Sequence, residues 1–226
     1  MKQLQVNVWS DVVCPWCYVG KRRLEAALAR FAHRDAVAIT WRAFELNPAS
    51  ERVYEPDVYV NGLAAKYGLT AERARAMMAQ TTEVARADGL DFRFDRLHHG
   101  NTFDAHRLLR LARERGIQAA VKERFLHAFW TEGEPIGDPK ALARLAVEAG
   151  LDAAEVASVL EGDAYAREVR ADQVEARERG QRVVPFYVIG GHNISGTQPP
   201  EKLLEVLEKA WSEVSPSQAL PAEGVA

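Results

Sequence analysis

The sequence predicts an α/β fold: a small sheet built from β-α-β at one end of the chain and β-β-α at the other, with one all-helical domain inserted between them. Three observations lead there. Apolar residues alternate with polar ones at Leu4, Val6 and Val8, and again at Val37, Ile39 and Trp41, the period of a strand with one buried face. Between these runs Leu24, Leu28 and Phe31 recur at helical spacing. Residues 55–180 then carry almost only helical periodicity, with Gly68, Gly89, Gly116, Gly133, Gly150, Gly162 and Gly180 near the ends of successive segments.

The first strand ends near Trp9 and turns through Ser10 and Asp11 into a helix that reaches Phe31. A helical crossover between two strands implies that they run parallel. Six or seven helices follow. Thr70, Asn101, Asp138 before Pro139, and Asp152 with Glu155 three residues on mark their starts, because such side chains accept hydrogen bonds from the free N–H groups of a first turn. The segments share no repeated pattern, which argues against a solenoid. Phe103, Leu108 and Leu109, with Phe125, Leu126, Phe129 and Trp130, are expected in the core of this helical part. Residues 183–189 and 192–195 flank Gly190-Gly191 as a hairpin, and an amphipathic helix runs from about Pro200 to Trp211. The organisation read from this is a sheet domain in two parts, 1–50 and 163–213, around a helical domain at 51–162. Residues 214–226, rich in proline and small side chains, are expected to be disordered.

Charge narrows the function. The chain has 29 basic and 32 acidic residues, spread along its length, so it shows no electrostatic footprint for nucleic acid or for an anionic membrane. No window approaches a membrane-spanning helix, and the first residues lack the apolar run of a signal peptide. A reducing cytoplasm is the expected location. The only two cysteines, Cys14 and Cys17, are three positions apart. That spacing closes no useful loop, which leaves a catalytic pair or half a metal site.

A Cys-x-x-Cys at a strand-to-helix turn has a defined chemical use. The helix N-terminus presents unpaired N–H groups and a partial positive charge. With Cys14 at the cap, Pro15 takes the first helical position, where its missing N–H is not needed. The Cys14 sulfur would face the N–H groups of Trp16 and Cys17, which favour thiolate over thiol. Cys14 is then the nucleophile. Cys17 lies seven, eleven and fourteen residues before Leu24, Leu28 and Phe31, so it shares the buried face and is the expected resolving thiol. Cys14 is expected to remain accessible, and Asp11 to oppose its ionisation. A zinc site completed by His98, His99 or His106 lacks a standard ligand spacing, and no metal is expected.

These residues resemble a known family. Cys14-Pro15-Trp16-Cys17 after a first strand and Val184-Pro185-Phe186 before a late hairpin resemble the DsbA-like thioredoxin-fold oxidoreductases, in particular the cytoplasmic FrnE-type branch. Further matching runs are Phe44-Glu45-Leu46-Asn47-Pro48, Lys66-Tyr67-Gly68, Asn101-Thr102 with Ala105-His106-Arg107-Leu108, Glu132-Gly133 and Ser195-Gly196-Thr197-Gln198-Pro199. The resemblance implies a thioredoxin-like fold with a helical insertion, a cis bond between Val184 and Pro185, and substrate contact through Val184 and Pro185 beside Pro15 and Trp16. It places Asn101 and His106 near the active-site face, although a helix cap and a packing histidine explain them as well. Trp16 stands where the periplasmic relatives carry a histidine that stabilises the thiolate, which argues against a very strong oxidant.

The implied activity is reversible dithiol-disulfide exchange with protein or peptide substrates. No cofactor is expected beyond the Cys14-Cys17 couple, and glutathione or a thioredoxin-type reductant is the candidate electron partner. The main rival is a glutathione-dependent enzyme, because kappa-class glutathione transferases and hydroxychromene-carboxylate isomerases share this insertion architecture. Those enzymes usually have serine at the first position. A helical binding or chaperone module ranks third.

Overall fold

The computed structural model of the chain describes residues 2–51 and 57–214. The sheet has the order β2-β1-β3-β4. Strand β1 (Leu4–Ser10) pairs parallel with β2 (Val37–Ala43) and antiparallel with β3 (Phe186–Ile189), which pairs antiparallel with β4 (His192–Ser195). Helix α1 (Pro15–Arg30) crosses over between β1 and β2, as the alternating and helical periods predict. Seven helices then intervene among the described residues: α2 (Asp57–Tyr67), α3 (Ala71–Ala87), α4 (Phe103–Glu114), α5 (Gln118–His127), α6 (Pro139–Glu148), α7 (Ala153–Glu161) and α8 (Ala166–Glu178). Helix α9 (Pro200–Glu213) closes the fold. None of these helices is long and apolar enough to cross a membrane. The tail expected to be disordered lies, beyond Val214, outside the described residues.

Local chemistry sets most helix starts. Thr70, Asp138 and Asp152 cap α3, α6 and α7, each accepting from backbone N–H groups of the first turn. At α4 the cap position is Thr102, one residue later than expected. The Asn101 side chain still serves the turn, because its Oδ1 accepts the Phe103 N–H at 2.8 Å while its Nδ2 donates to the Pro48 carbonyl at 3.2 Å.

The two parts have separate cores that meet at the cysteine turn. Leu4, Val6 and Val8 pack with Leu24, Ala27 and Phe31 of α1 and with Leu203, Leu207 and Ala210 of α9. Each fully buried leucine there contributes about 1.5–3 kcal/mol. The helical core gathers Leu108, Phe125, Leu126, Phe129 and Trp130, but it also takes in Val12 and Val13 before the cysteines and Tyr18 and Val19 after them. The Trp130 indole N–H donates to the Val12 carbonyl at 2.9 Å. The helical part therefore holds the turn that carries the two cysteines. Phe103, expected in this core, is half-buried instead, with the Arg170 guanidinium 5.1 Å from its ring centre.

The outer edge of β2 would otherwise expose unpaired backbone groups. Two side chains from the helices satisfy them. Gln118 of α5 accepts the Trp41 N–H at 3.0 Å and donates to the Trp41 carbonyl at 2.9 Å. Asp172 of α8 accepts the Ala43 N–H at 3.0 Å and pairs with Arg42 at 2.8 Å and Arg110 at 3.3 Å. Helix α5 is also clasped to α1, because Glu123 accepts from Tyr18 at 2.7 Å and is paired with Lys21 and Arg22.

Candidate active site

The site is the junction of β1 and α1. Cys14 is the N-cap of α1 with extended backbone, φ −94° and ψ 116°, and Pro15 follows within the first turn. The Cys17 N–H donates to the Cys14 carbonyl at 3.1 Å and closes that turn. Both thiols are free.

The geometry departs from expectation in two respects. Cys14 is only 4% exposed, although it lines a cavity of about 980 Å³ between the α1 tip and the α2–α3 pair. Its thiol makes no capping bond to the helix N–H groups. It donates instead to the Val184 carbonyl at 3.6 Å. A protonated thiol is a donor, and the acceptor within reach is the carbonyl before Pro185. The Val184–Pro185 bond is cis. Cys17 is 1% exposed and does not line the cavity. Burial pushes its thiol well up from the ordinary cysteine range; the neighbouring Cys14 adds to this and Lys122 opposes it.

Asp11 is fully buried at the turn. Burial opposes its ionisation, but the His106 ring, the Leu46 N–H at 2.8 Å and the Thr102 hydroxyl outweigh this and hold the carboxyl below the usual range. His106, from α4, places Nε2 3.3 Å from Asp11 Oδ1, an off-axis contact within a buried pair. The segment expected near the active-site face thus sends His106 to the site. Asn101 instead holds the 48–51 loop from the start of α4 and lines a second cavity with Arg170 and Gln173.

Trp16 is 41% exposed at the cavity rim. Its carbonyl accepts from the Thr197 hydroxyl at 2.9 Å, which ties the first turn of α1 to the loop after β4. Among the described residues no three His, Cys, Asp or Glu side chains gather as ligands for a metal ion.

Sequence reading passed over Gly20. A Cβ there would collide with Tyr187 Oη and stand 2.9 Å from Pro185 Cγ, so glycine allows α1 to lie against the segment after Val184. A lone glycine inside a helical pattern was the available signal. Gly20→Ala is expected to destabilise the protein by about 1–3 kcal/mol through overpacking and to displace Pro185 from Cys14. Thermal unfolding together with thiol-disulfide exchange rates checks this. Unchanged values in both would show that the contact yields without consequence.

A family model for the DSBA-like thioredoxin domain matches residues 5–208. The chain belongs to this family. A probable DsbA oxidoreductase of Streptomyces coelicolor is 43% identical in sequence, with a TM-score of 0.88 over 98% of this chain and 96% of that one. The uncharacterized protein YwbO of Bacillus subtilis (strain 168) is 31% identical over 214 residues, 93% of this chain and 96% of its own length. A 2-hydroxychromene-2-carboxylate isomerase shares the fold at 18% identity, with a TM-score of 0.64 over 92% of this chain and 94% of that one. The DSBA-like assignment accounts for the four-stranded sheet with its helical insertion.

Proposed function

We propose that the protein is a thiol-disulfide oxidoreductase that exchanges dithiol and disulfide with protein or peptide substrates through Cys14 and Cys17. One observation carries the reading: the chain's two cysteines share the first turn of a helix, one lining a cavity and the other buried behind it. Cys14 attacks a substrate disulfide to form a mixed disulfide. Cys17 then attacks Cys14, releases the substrate thiol and leaves a Cys14–Cys17 disulfide. Val184 lines the cavity beside Cys14, Pro15 and Trp16, with Pro185 buried behind it, and an extended substrate segment would dock along this edge. A small dithiol, glutathione or a thioredoxin-type protein would return the pair to the reduced form. We place this activity in the cytoplasm, because neither cysteine is committed to a structural bridge.

The competing reading is a glutathione-dependent isomerase or transferase, which needs one stabilised thiolate and has no net electron flow. The experiment that separates the two is dithiol-driven reduction of insulin. Wild type should catalyse it, and Cys17→Ser should lose turnover. Should wild type lack exchange while Cys17→Ser keeps full glutathione-dependent turnover of a small aromatic substrate, the isomerase reading replaces ours.

A further inference from the structure

Among the described residues six large apolar side chains are exposed, and four of them, Trp16, Leu46, Tyr67 and Val183, line the cavity onto which Cys14 opens. They come from separate parts of the fold. Trp16 stands in the first turn of α1, Leu46 in the loop after β2, Tyr67 at the end of α2 and Val183 in the segment leading into β3. Tyr67 and Val183 are more than half exposed, at 54% and 55%. Exposed apolar side chains gathered at one cleft, rather than scattered singly, mark a surface that a partner covers.

The same cavity carries an uneven charge. Besides Cys14, its described ionisable lining is Asp11, His99, Lys66 and Arg182. Asp11 is fully buried, accepts the Leu46 N–H and has His106 beside it. Lys66 and Arg182 are exposed, and neither side chain has a hydrogen-bond or ion-pair partner. The Lys66 ammonium lies over the Tyr67 ring, 5.5 Å from its centre. Arg182 precedes by two residues Val184, whose carbonyl is 3.6 Å from the Cys14 sulfur, so the two α-carbons are within about 7 Å of each other. Two uncompensated cations thus stand at the mouth of the site, in a chain whose net charge is −3.

We propose that this cavity docks an extended segment of a protein substrate whose reacting cysteine has apolar neighbours and an acidic side chain two positions away, with Arg182 and Lys66 selecting the acid. The inference names a substrate class for the dithiol-exchange reading above and rests on it for the chemistry at Cys14. In an extended chain side chains alternate, so the residue two positions from a cysteine points to the same side, about 7 Å along. That is the span from Val184 to Arg182. Lys66, on α2, serves an acid on the other side of the cysteine. Exposed cations of this kind set selectivity and association rate more than affinity. A small anionic thiol would meet the cations but leave Trp16, Tyr67 and Val183 uncovered, which favours a stretch of chain.

The test follows a single round of exchange. Reduced protein is mixed with peptides whose one cysteine is joined by a disulfide to a neutral pyridine thiol. The Cys14 sulfur bonds to the peptide sulfur, the original disulfide breaks, and the pyridine thiolate leaves with the electron pair and is read by absorbance. Cys14 is oxidised and the pyridine sulfur is reduced. Three peptides share the cysteine and its apolar neighbours, and carry glutamate, glutamine or lysine two positions away on either side. Each rate is divided by that of 2-mercaptoethanol with the same peptide, which removes the peptide's own reactivity. Only the Cys14 thiol is required, so selectivity is read even where insulin is not reduced. Should Cys14 not react, dissociation constants of the same peptides with serine for cysteine, read by fluorescence anisotropy, carry the comparison.

Wild type should take the glutamate peptide about 10-fold faster than the lysine peptide, with glutamine between them. The ratio should approach one in about 1 M salt, where exposed charges are screened. Arg182→Glu combined with Lys66→Glu should reverse the order. Serine in place of the apolar neighbours should slow the glutamate peptide by about 10-fold. Both cations are exposed, so the variant is expected to fold; should it not, Arg182→Gln with Lys66→Gln should level the three rates. Equal rates in wild type, or an order that survives both substitutions, overturns the proposal. A small anionic thiol that reacts from its pyridine disulfide as fast as the glutamate peptide would assign the cations to a free carboxylate and overturns the docked segment.

Discussion

Cys17→Ser is expected to accumulate mixed disulfides with substrate, whereas Cys14→Ser is expected to form none. The asymmetry follows from position. Cys14 lines the cavity, and Cys17 sits behind it at 1% exposure. A substrate disulfide therefore meets the Cys14 sulfur first. In Cys17→Ser nothing displaces the bound substrate, and the intermediate persists until an external thiol attacks it. In Cys14→Ser the introduced hydroxyl is un-ionised at neutral pH, and exchange should fall by on the order of 10³-fold or more, the scale of removing a nucleophile. Non-reducing electrophoresis or intact-protein mass spectrometry after incubation with a disulfide-bonded substrate reads both outcomes. Equal trapping by the two variants would reverse or abolish the assigned roles.

The largest stability effect is expected from Asp172→Ala. Asp172 is 1% exposed, and its two oxygens serve Arg42, Arg110 and the Ala43 N–H on the edge of β2. The alanine variant leaves two guanidinium groups and a backbone donor without their acceptor. Breaking a buried charge cluster from one side destabilises by about 3–5 kcal/mol, and partial solvent access at Arg42 and Arg110 puts this case near the lower figure. For a chain of this size the midpoint of thermal unfolding should fall by roughly 6–12 °C. Asp172→Asn keeps an acceptor for the Ala43 N–H and should lose less. A loss below about 1 kcal/mol for Asp172→Ala would show that water replaces the carboxylate, the behaviour of a surface pair.

Features governed by near-neighbour stereochemistry were legible in the sequence. Alternation at Leu4, Val6 and Val8 sets which face of β1 is buried. The spacing of Cys17, Leu24 and Phe31 sets which side of α1 turns inward, and Pro15 at the start of α1 follows from its missing N–H. Glycines such as Gly116 and Gly180, both at positive φ, and capping residues such as Asp138 and Asp152 needed no tertiary partner to be read as helix ends. The one displaced start, at α4, reflects an Asn101 side chain that reaches the Phe103 N–H from one residue further back. These signals place the cysteine pair at a strand-to-helix turn from local pattern alone.

What surrounds the pair depends on the tertiary structure. The carbonyl that receives the Cys14 thiol is 170 positions away in sequence. His106 meets Asp11, Gly20 clears Pro185 and Tyr187, and Lys122 is buried near the Trp41 ring only through the packing of α4, α1 and α5 against the rest of the fold. Lys122 left a faint trace, a cation on the same helical stripe as Gln118, Val121, Phe125 and Leu126. Periodicity assigns such a residue to the inside without saying what it will face. Which helix face meets which depends on packing of side chains across the whole core, and that information is spread over residues too far apart for local pattern to join.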